Sequence, residues 1–142
     1  MSEFKKYIVF KGRVISKGIA EGEALICDDY ISFYGGVDPE SGIIVEKGHI
    51  LEGVSITDKV LIFRGGKGST VGSYIIYRLA KNKHAPKAFI CIKAEPIVAI
   101  GAIISGIPLI DRVDESIFKI IKNGDWISVD GYNGVIKCFK QK

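Results

Sequence analysis

The residues whose types and spacing suggest chemistry lie in one glycine-rich run, RGGKGST, at residues 64–70. Lys67 stands two positions before Ser69, and glycines precede and separate them. Glycines let a backbone turn sharply and come close to a bound ligand. A lysine ammonium and free backbone N–H groups bind anions, and a serine hydroxyl is a candidate base or nucleophile. The run therefore indicates an anion site with a reactive serine.

The elements on either side of the run explain how it would be held. Residues 60–63 are apolar and predict a short buried strand, and from residue 70 to about residue 82 the pattern is helical. A strand, a tight turn and a helix start would direct backbone N–H groups and the positive end of a helix dipole at one place. We expect Ser69 to be the catalytic residue there. The residues expected to bind the substrate are Gly66, Lys67, Gly68 and Thr70.

Three interpretations of the run compete. A nucleotide loop is poorly matched, because Lys67 is followed by glycine and not by the S/T of G-x-x-x-x-G-K-S/T, and because the gap from Gly68 to Gly72 is one residue too long for G-x-G-x-x-G. A purely structural turn would need glycines only for positive φ. In the anion site, Thr70 would cap the helix and free Ser69. The two consecutive hydroxyls favour this third interpretation.

Ser69 has no obvious histidine partner for acyl transfer. The chain has two histidines, His49 and His84, and neither lies in a nucleophile-elbow motif; we expect His49 on the surface. As a base, Ser69 would depend on Lys67 and on the helix start. A helix dipole supplies at most about 2 kcal/mol, or about 1.5 pKa units. A partner subunit or a metal-bound substrate must therefore assist.

The bulk composition indicates one globular domain over residues 1–142. The net charge is only +4 and the lysines are interspersed with acids, so no nucleic-acid footprint is predicted. No apolar run reaches the roughly 18 residues that span a membrane, and no secretory signal is expected. Cys27, Cys91 and Cys138 are far apart in apolar surroundings. We expect them to be reduced core thiols of a cytoplasmic protein, with no metal site in this chain.

The order of predicted elements indicates an α/β fold with a mixed sheet, a small second sheet and two or three helices. A parallel βαβ unit is predicted over residues 60–92, with Val71, Ile75 and Leu79 forming the buried stripe of its helix. A second helix at 97–105 is apolar nearly all round and should be buried. An antiparallel pair is predicted for 7–15 with 22–27, a hairpin for 126–130 with 135–139, and a long polar loop at 35–42 that is either a plain turn or part of a site.

Three segments together resemble the aconitase X family, in the same order and over nearly the whole chain. They are FYGGVDPESG at 33–42, GGKGSTVGSYIIYRLAKNKHAPKA at 65–88 and AEPIVAIGAIISGIPLID at 94–111. The resemblance implies the swivelling β/β/α domain of aconitases, here as a separate small subunit. It also implies a heterodimer with a large subunit that carries a 4Fe–4S iron–sulfur cluster, while this chain binds no cofactor.

The resemblance further implies a dehydration, with Ser69 of the G-K-G-S-T motif as the proton acceptor. The complex would remove water from (R)-5-phosphomevalonate to give trans-anhydromevalonate 5-phosphate, in the archaeal mevalonate route to isoprenoids. Another hydroxy acid is an alternative substrate. The C-terminal KNGDWISVDGYNGVIK also resembles phosphohistidine swivel domains, but no histidine follows the turn before His84. A non-catalytic binding module is the remaining alternative.

Overall fold

A computed structural model of the chain describes residues 6–140. Within that range it forms eight strands and four helices. In chain order these are β1 (Ile8–Lys11), β2 (Arg13–Ser16), β3 (Ile19–Ser32), α1 (Phe33–Gly36), β4 (Val60–Lys67), α2 (Gly72–Lys81), β5 (Ala88–Cys91), α3 (Pro96–Ser105), β6 (Leu109–Asp111), α4 (Ile117–Ile120), β7 (Trp126–Asp130) and β8 (Val135–Phe139). The predicted mixed α/β class is confirmed.

The described strands make one sheet in the order β1-β8-β7-β3-β4-β5-β6-β2. β1 and β2 lie at opposite ends of this order, although only Gly12 separates them along the chain. The sheet therefore closes on itself through a single crossing residue. A Cβ on Gly12 would lie 2.4 Å from the carbonyl oxygen of Asp111, so only glycine fits at the crossing. The predicted antiparallel pair of 7–15 with 22–27 is wrong, because β1 pairs with β8 and β2 pairs with β6.

The sheet has a parallel half and an antiparallel half. In the parallel half, β4 pairs with both β3 and β5, and β5 pairs with β6. The predicted βαβ unit is confirmed there as β4–α2–β5, and α3 makes a second crossover to β6. In the antiparallel half, β7 pairs with β8, which confirms the predicted hairpin. β7 also pairs with β3, and β8 also pairs with β1.

Two apolar clusters lie on the two faces of β4. Successive residues of a strand point to opposite faces, and Val60 and Ile62 belong to the cluster enclosed by the closed sheet. Leu61 and Phe63 belong to the cluster beneath α2 and α3. Burial on both faces explains why this strand reads as a continuous apolar run rather than an alternating one.

The two longer helices, α2 and α3, cover one side of the sheet, and this changes two predictions. In α2, Ile75 and Leu79 are buried as expected, but Val71 is 44% exposed because the helix begins one residue after it. The prediction that the second helix is buried all round is wrong. In α3, the side chains of Ile103 and Ile104 are each 55% exposed, because only the opposite face of this helix meets α2 and the sheet.

Candidate functional site

The glycine-rich run begins inside β4 rather than after it. The strand continues through Gly65 and Gly66 to Lys67, so the predicted end at residue 63 is wrong. A Cβ on Gly65 would lie 2.6 Å from the carbonyl oxygen of Lys93, and one on Gly66 would lie 2.6 Å from a methyl group of Val98. These two glycines let the strand lie against the β5–α3 connection and the first turn of α3, a role that depends on close packing and not on positive φ.

Gly68 is the point where the chain turns out of the sheet. Its φ of +90° lies in the region that glycine adopts without strain. A Cβ there would lie 2.7 Å from Oγ of Ser32, at the end of the neighbouring strand β3. The turn after Lys67 therefore needs glycine both for its backbone angle and for its contact with β3.

Ser69 lies exposed between Gly68 and the first turn of α2. Its Oγ accepts the N–H of Val71 at 3.1 Å, and its carbonyl oxygen accepts the N–H of Gly72 at 2.9 Å. The expectation that Thr70 would cap the helix is wrong, because α2 begins at Gly72 and Val71 occupies the N-cap position without a side-chain cap. The hydroxyl of Ser69 nevertheless keeps its own proton and a second lone pair for a ligand.

Backbone donors remain at this turn. Among the hydrogen bonds between described residues, none uses the N–H groups of Ser69 or Thr70. Both groups precede a ten-residue helix whose dipole favours negative charge at its start. The geometry suits a carboxylate or phosphate oxygen held beside Ser69.

An open cleft of about 410 Å³ adjoins the turn. The residues that line it are Ser32, Tyr34, Gly35, Gly36, Glu46, Lys67 and Gly68. The glycine end of the polar loop at 35–42 therefore reaches the site, and Gly35 has a φ of +87° there. Of the predicted site residues, Lys67 and Gly68 line the cleft, and Ser69 follows directly after them.

The other end of the polar loop is anchored away from the cleft. The carboxylate of Asp38 accepts the N–H of Glu40 and the hydroxyl of Ser41, and these bonds lower the pKa of Asp38. Glu40 in turn contacts Arg78 of α2 at 2.7 Å. One end of the loop is thus held against α2, and the other end lines the cleft.

Sequence analysis missed two acidic residues next to the glycine-rich run. The carboxylate of Glu46 lies 3.5 Å from the ammonium of Lys67 across the cleft. Oε2 of Glu95 is buried without a hydrogen-bond partner among the described residues, close to Gly65 and Gly66. Burial raises the pKa of Glu95, and the N–H of Gly66 and the charge of Lys93 only partly oppose this. Nothing local in the sequence signals either contact, since both join segments that are distant along the chain.

The histidines take structural positions. His49 was expected on the surface, but its side chain is only 7% exposed. Its Nε2 lies 2.9 Å from the carbonyl oxygen of Tyr30, and its Nδ1 accepts the N–H of Leu51, so the ring joins a loop to β3. Nδ1 of His84 lies 3.2 Å from Oγ1 of Thr57. Neither ring hydrogen-bonds to Ser69.

The residues present do not fit an iron–sulfur cluster or a metal ion. Cys27, Cys91 and Cys138 are free and buried, as expected, and burial raises the pKa of Cys27 to about 12 and that of Cys138 to about 11. Between residues 6 and 140 no group of three or more His, Cys, Asp or Glu side chains could hold a metal ion. In the same range no helix combines the length and apolar character needed to cross a membrane.

Comparison with known proteins gives consistent matches. The family model described as "Aconitase X swivel domain" matches residues 9–138. The "Phosphomevalonate dehydratase small subunit" of Methanosarcina mazei is 56% identical over 134 residues, which cover 94% of this chain and 93% of the relative. The protein of the same name from Methanocella arvoryzae is 58% identical over 127 residues, covering 89% of this chain and 96% of the relative.

Two solved structures are similar over nearly their full length. A chain of aconitase X from Thermococcus kodakaraensis, in its holo form, has a TM-score of 0.89 and 48% identity, covering 94% of this chain and 99% of that one. The solution structure of a UPF0107 protein has a TM-score of 0.86 and 45% identity, and the match covers 94% of this chain and 100% of that one. The overall fold of the chain is therefore shared with both.

Proposed function

The chain belongs to the aconitase X swivel-domain family, and on that premise we propose that it is the small subunit of a phosphomevalonate dehydratase. This hydro-lyase removes water from (R)-5-phosphomevalonate to give trans-anhydromevalonate 5-phosphate, in the archaeal mevalonate route to isoprenoids. The near full-length match to relatives of that name carries the proposal. The whole chain, residues 1–142, acts as a single swivel domain and turns over substrate only with its larger subunit.

Ser69 is the base in this proposal. A dehydration needs a group that takes a proton from carbon while a hydroxyl leaves the neighbouring carbon. The N–H of Val71 at 3.1 Å and the start of α2 both favour negative charge on Oγ of Ser69. The helix start is worth at most about 2 kcal/mol, or about 1.5 pKa units, which is too little to ionise a serine at neutral pH. The larger subunit must supply the rest.

The substrate's anionic group lies beside the same turn. Lys67 and the backbone N–H groups from Gly68 to Thr70 bind a carboxylate or phosphate oxygen, and Gly66 keeps the strand close enough for them to converge. Support comes from the exposed position of the turn and from the cleft that Lys67 and Gly68 line. We assign the 4Fe–4S cluster to the larger subunit, since the described part of this chain offers no ligand set for it.

Ser69→Ala in the reconstituted complex tests the proposal. We expect turnover of phosphomevalonate to fall about 1,000-fold, within the range of general-base contributions, while association with the larger subunit is unchanged. The matched control is Ser128→Ala, since Ser128 lies on β7 in the antiparallel half, and it should keep turnover within about twofold.

Two results would contradict the proposal in different ways. Normal turnover by the Ser69→Ala complex would remove Ser69 as the base. Turnover of a different hydroxy acid in preference to phosphomevalonate would keep the dehydratase but change its substrate, so the assay should include a panel of hydroxy acids with and without a phosphate.

A further inference from the structure

We propose that Glu46 is a positioning residue, which holds the ammonium of Lys67 at the mouth of the cleft so that Lys67 meets the substrate's anionic group already oriented. The inference rests on the proposed function, in which Lys67 binds that group. The observation behind it is the 3.5 Å contact between Oε2 of Glu46 and Nζ of Lys67, both of which line the cleft.

The backbone holds Glu46 firmly in the cleft wall. The N–H groups of Val45 and Glu46 both donate to the carbonyl oxygen of Gly36, at 2.8 and 3.3 Å. A Cβ on Gly36 would lie 3.2 Å from Oε1 of Glu46. The missing side chain of Gly36 therefore makes room for this carboxylate.

Lys67, by contrast, needs something to orient it. It ends β4 with a side chain that is 48% exposed, and a free lysine side chain has about 2 kcal/mol of rotamer entropy to lose on binding. Within residues 6–140 its ammonium is recorded against a single acceptor, Glu46. An ammonium has three donors, so this one long contact leaves donors for an incoming anion.

The expected contribution of Glu46 is to binding rather than to the chemical step. An exposed ion pair contributes roughly 0–1 kcal/mol to stability, so losing it should leave the fold intact. A lysine that must be oriented during substrate binding weakens that binding, because the cost of ordering it is then taken from the binding free energy. Glu46 should therefore change KM, and it should do so only while Lys67 is present.

A double-mutant cycle on the reconstituted complex tests this dependence. We expect Lys67→Ala to raise KM about 100-fold and Glu46→Ala to raise it about tenfold, with kcat within about threefold for Glu46→Ala. The double variant should match Lys67→Ala alone, because Glu46 has nothing left to position. Glu46→Gln keeps an oxygen acceptor at the same place and should recover KM to within about threefold of the unsubstituted complex.

A second ion pair provides the matched control. Lys59 and Glu23 are 3.6 Å apart and do not line the cleft. The single and double alanine variants of that pair should leave KM and kcat within about twofold. A change in KM from those variants as large as that from Glu46→Ala would make the Glu46 effect a general one and overturn the proposal.

Other results would overturn it directly. An unchanged KM in Glu46→Ala, or a double variant whose KM rises by the product of the two single effects, would show that Glu46 does not act through Lys67. The exchanged pair, Glu46→Lys with Lys67→Glu, restores an ion pair but places the cation on the wrong wall, so recovery of KM by it would show a structural role only. Full turnover by the Ser69→Ala complex would refute the role of Ser69 as the base, but the KM values of the double-mutant cycle would still test the role of Glu46.

Discussion

The parallel and antiparallel halves of the sheet differ in what their strand ends can do. In the parallel half, β3, β4, β5 and β6 end at one edge, and the chain leaves that edge through the polar loop, the glycine-rich turn and the connection that holds Glu95. In the antiparallel half, neighbouring strands end at opposite edges, and a short turn joins β7 to β8. Only the first arrangement collects backbone donors, a lysine and a serine at one place, as ligand sites in parallel sheets require.

The exposed apolar side chains of the two halves also differ. α3 has no charged residue from Pro96 to Ser105, and Ile100, Ile103 and Ile104 are all more than half exposed along it. In the antiparallel half, exposed Ile8 and Ile19 lie close in sequence to exposed lysine and glutamate side chains. Depletion of charge marks the centre of protein interfaces. We therefore expect the larger subunit implied for this family to cover α3.

For this comparison, the largest expected effect is a change in affinity for the larger subunit. Ile103→Asp places a charge in the centre of the apolar α3 face, and we expect it to weaken association with the larger subunit about 100-fold. Ile19→Asp is the matched control, since Ile19 is 67% exposed in the antiparallel half, and it should change the affinity less than about threefold. Titration of each small-subunit variant against the larger subunit measures both. Equal weakening by the two variants would break the distinction.

Substitution of two crowded glycines, one near the site and one far from it, tests whether crowding affects turnover only near the site. A Cβ at Gly65 would lie 2.6 Å from the carbonyl oxygen of Lys93, and one at Gly131 would lie 2.4 Å from that of Gly18. Overpacking of this kind costs about 1–3 kcal/mol, so alanine at either position should lower the free energy of unfolding similarly. Only Gly65→Ala should also reduce turnover, measured where both variants are folded. Equal turnover by the complexes of these two variants would contradict this prediction, because a shift of the glycine-rich run would then leave catalysis unchanged.

The smallest expected effect is a difference in pH dependence between two carboxylates. Burial raises the pKa of Glu95 above its ordinary 4.5, so its contribution to stability falls as pH rises from about 4.5 through the raised pKa. Hydrogen bonds from Asn133 and Tyr132 lower the pKa of Asp130 below 3.8, so its contribution is present above that pH and is lost as pH falls through the lowered pKa.

Denaturant unfolding between pH 2.5 and 7 measures both carboxylates. Glu95→Gln should flatten the decline above about pH 4.5, and Asp130→Asn should flatten the loss at acidic pH. Stability profiles that change in the same direction for both variants would contradict a raised pKa for Glu95 near the site and a lowered pKa for Asp130 in the hairpin.

Local patterns in the sequence were enough for the parts of the fold whose partners are close along the chain. The βαβ unit from Val60 and the terminal hairpin follow from apolar runs and turn residues, and the glycine-rich turn is visible from its composition. The contact of Glu46 with Lys67, the burial of His49 and the exposed face of α3 are not visible. Each depends on which distant segment lies beside a residue, and hydropathy along one segment carries no such information.

The single residue Gly12, which joins the two ends of the sheet, has a consequence for the order of folding. A ribosome releases β1 long before its ladder partner β8, which is completed only at Phe139. Until then β1 remains an unpaired edge, and such edges invite pairing with other chains. Closure across so many residues also slows folding. A chain shortened before Val135 would leave β1 without its ladder partner and β7 paired only with β3, and it should accumulate as aggregate during expression.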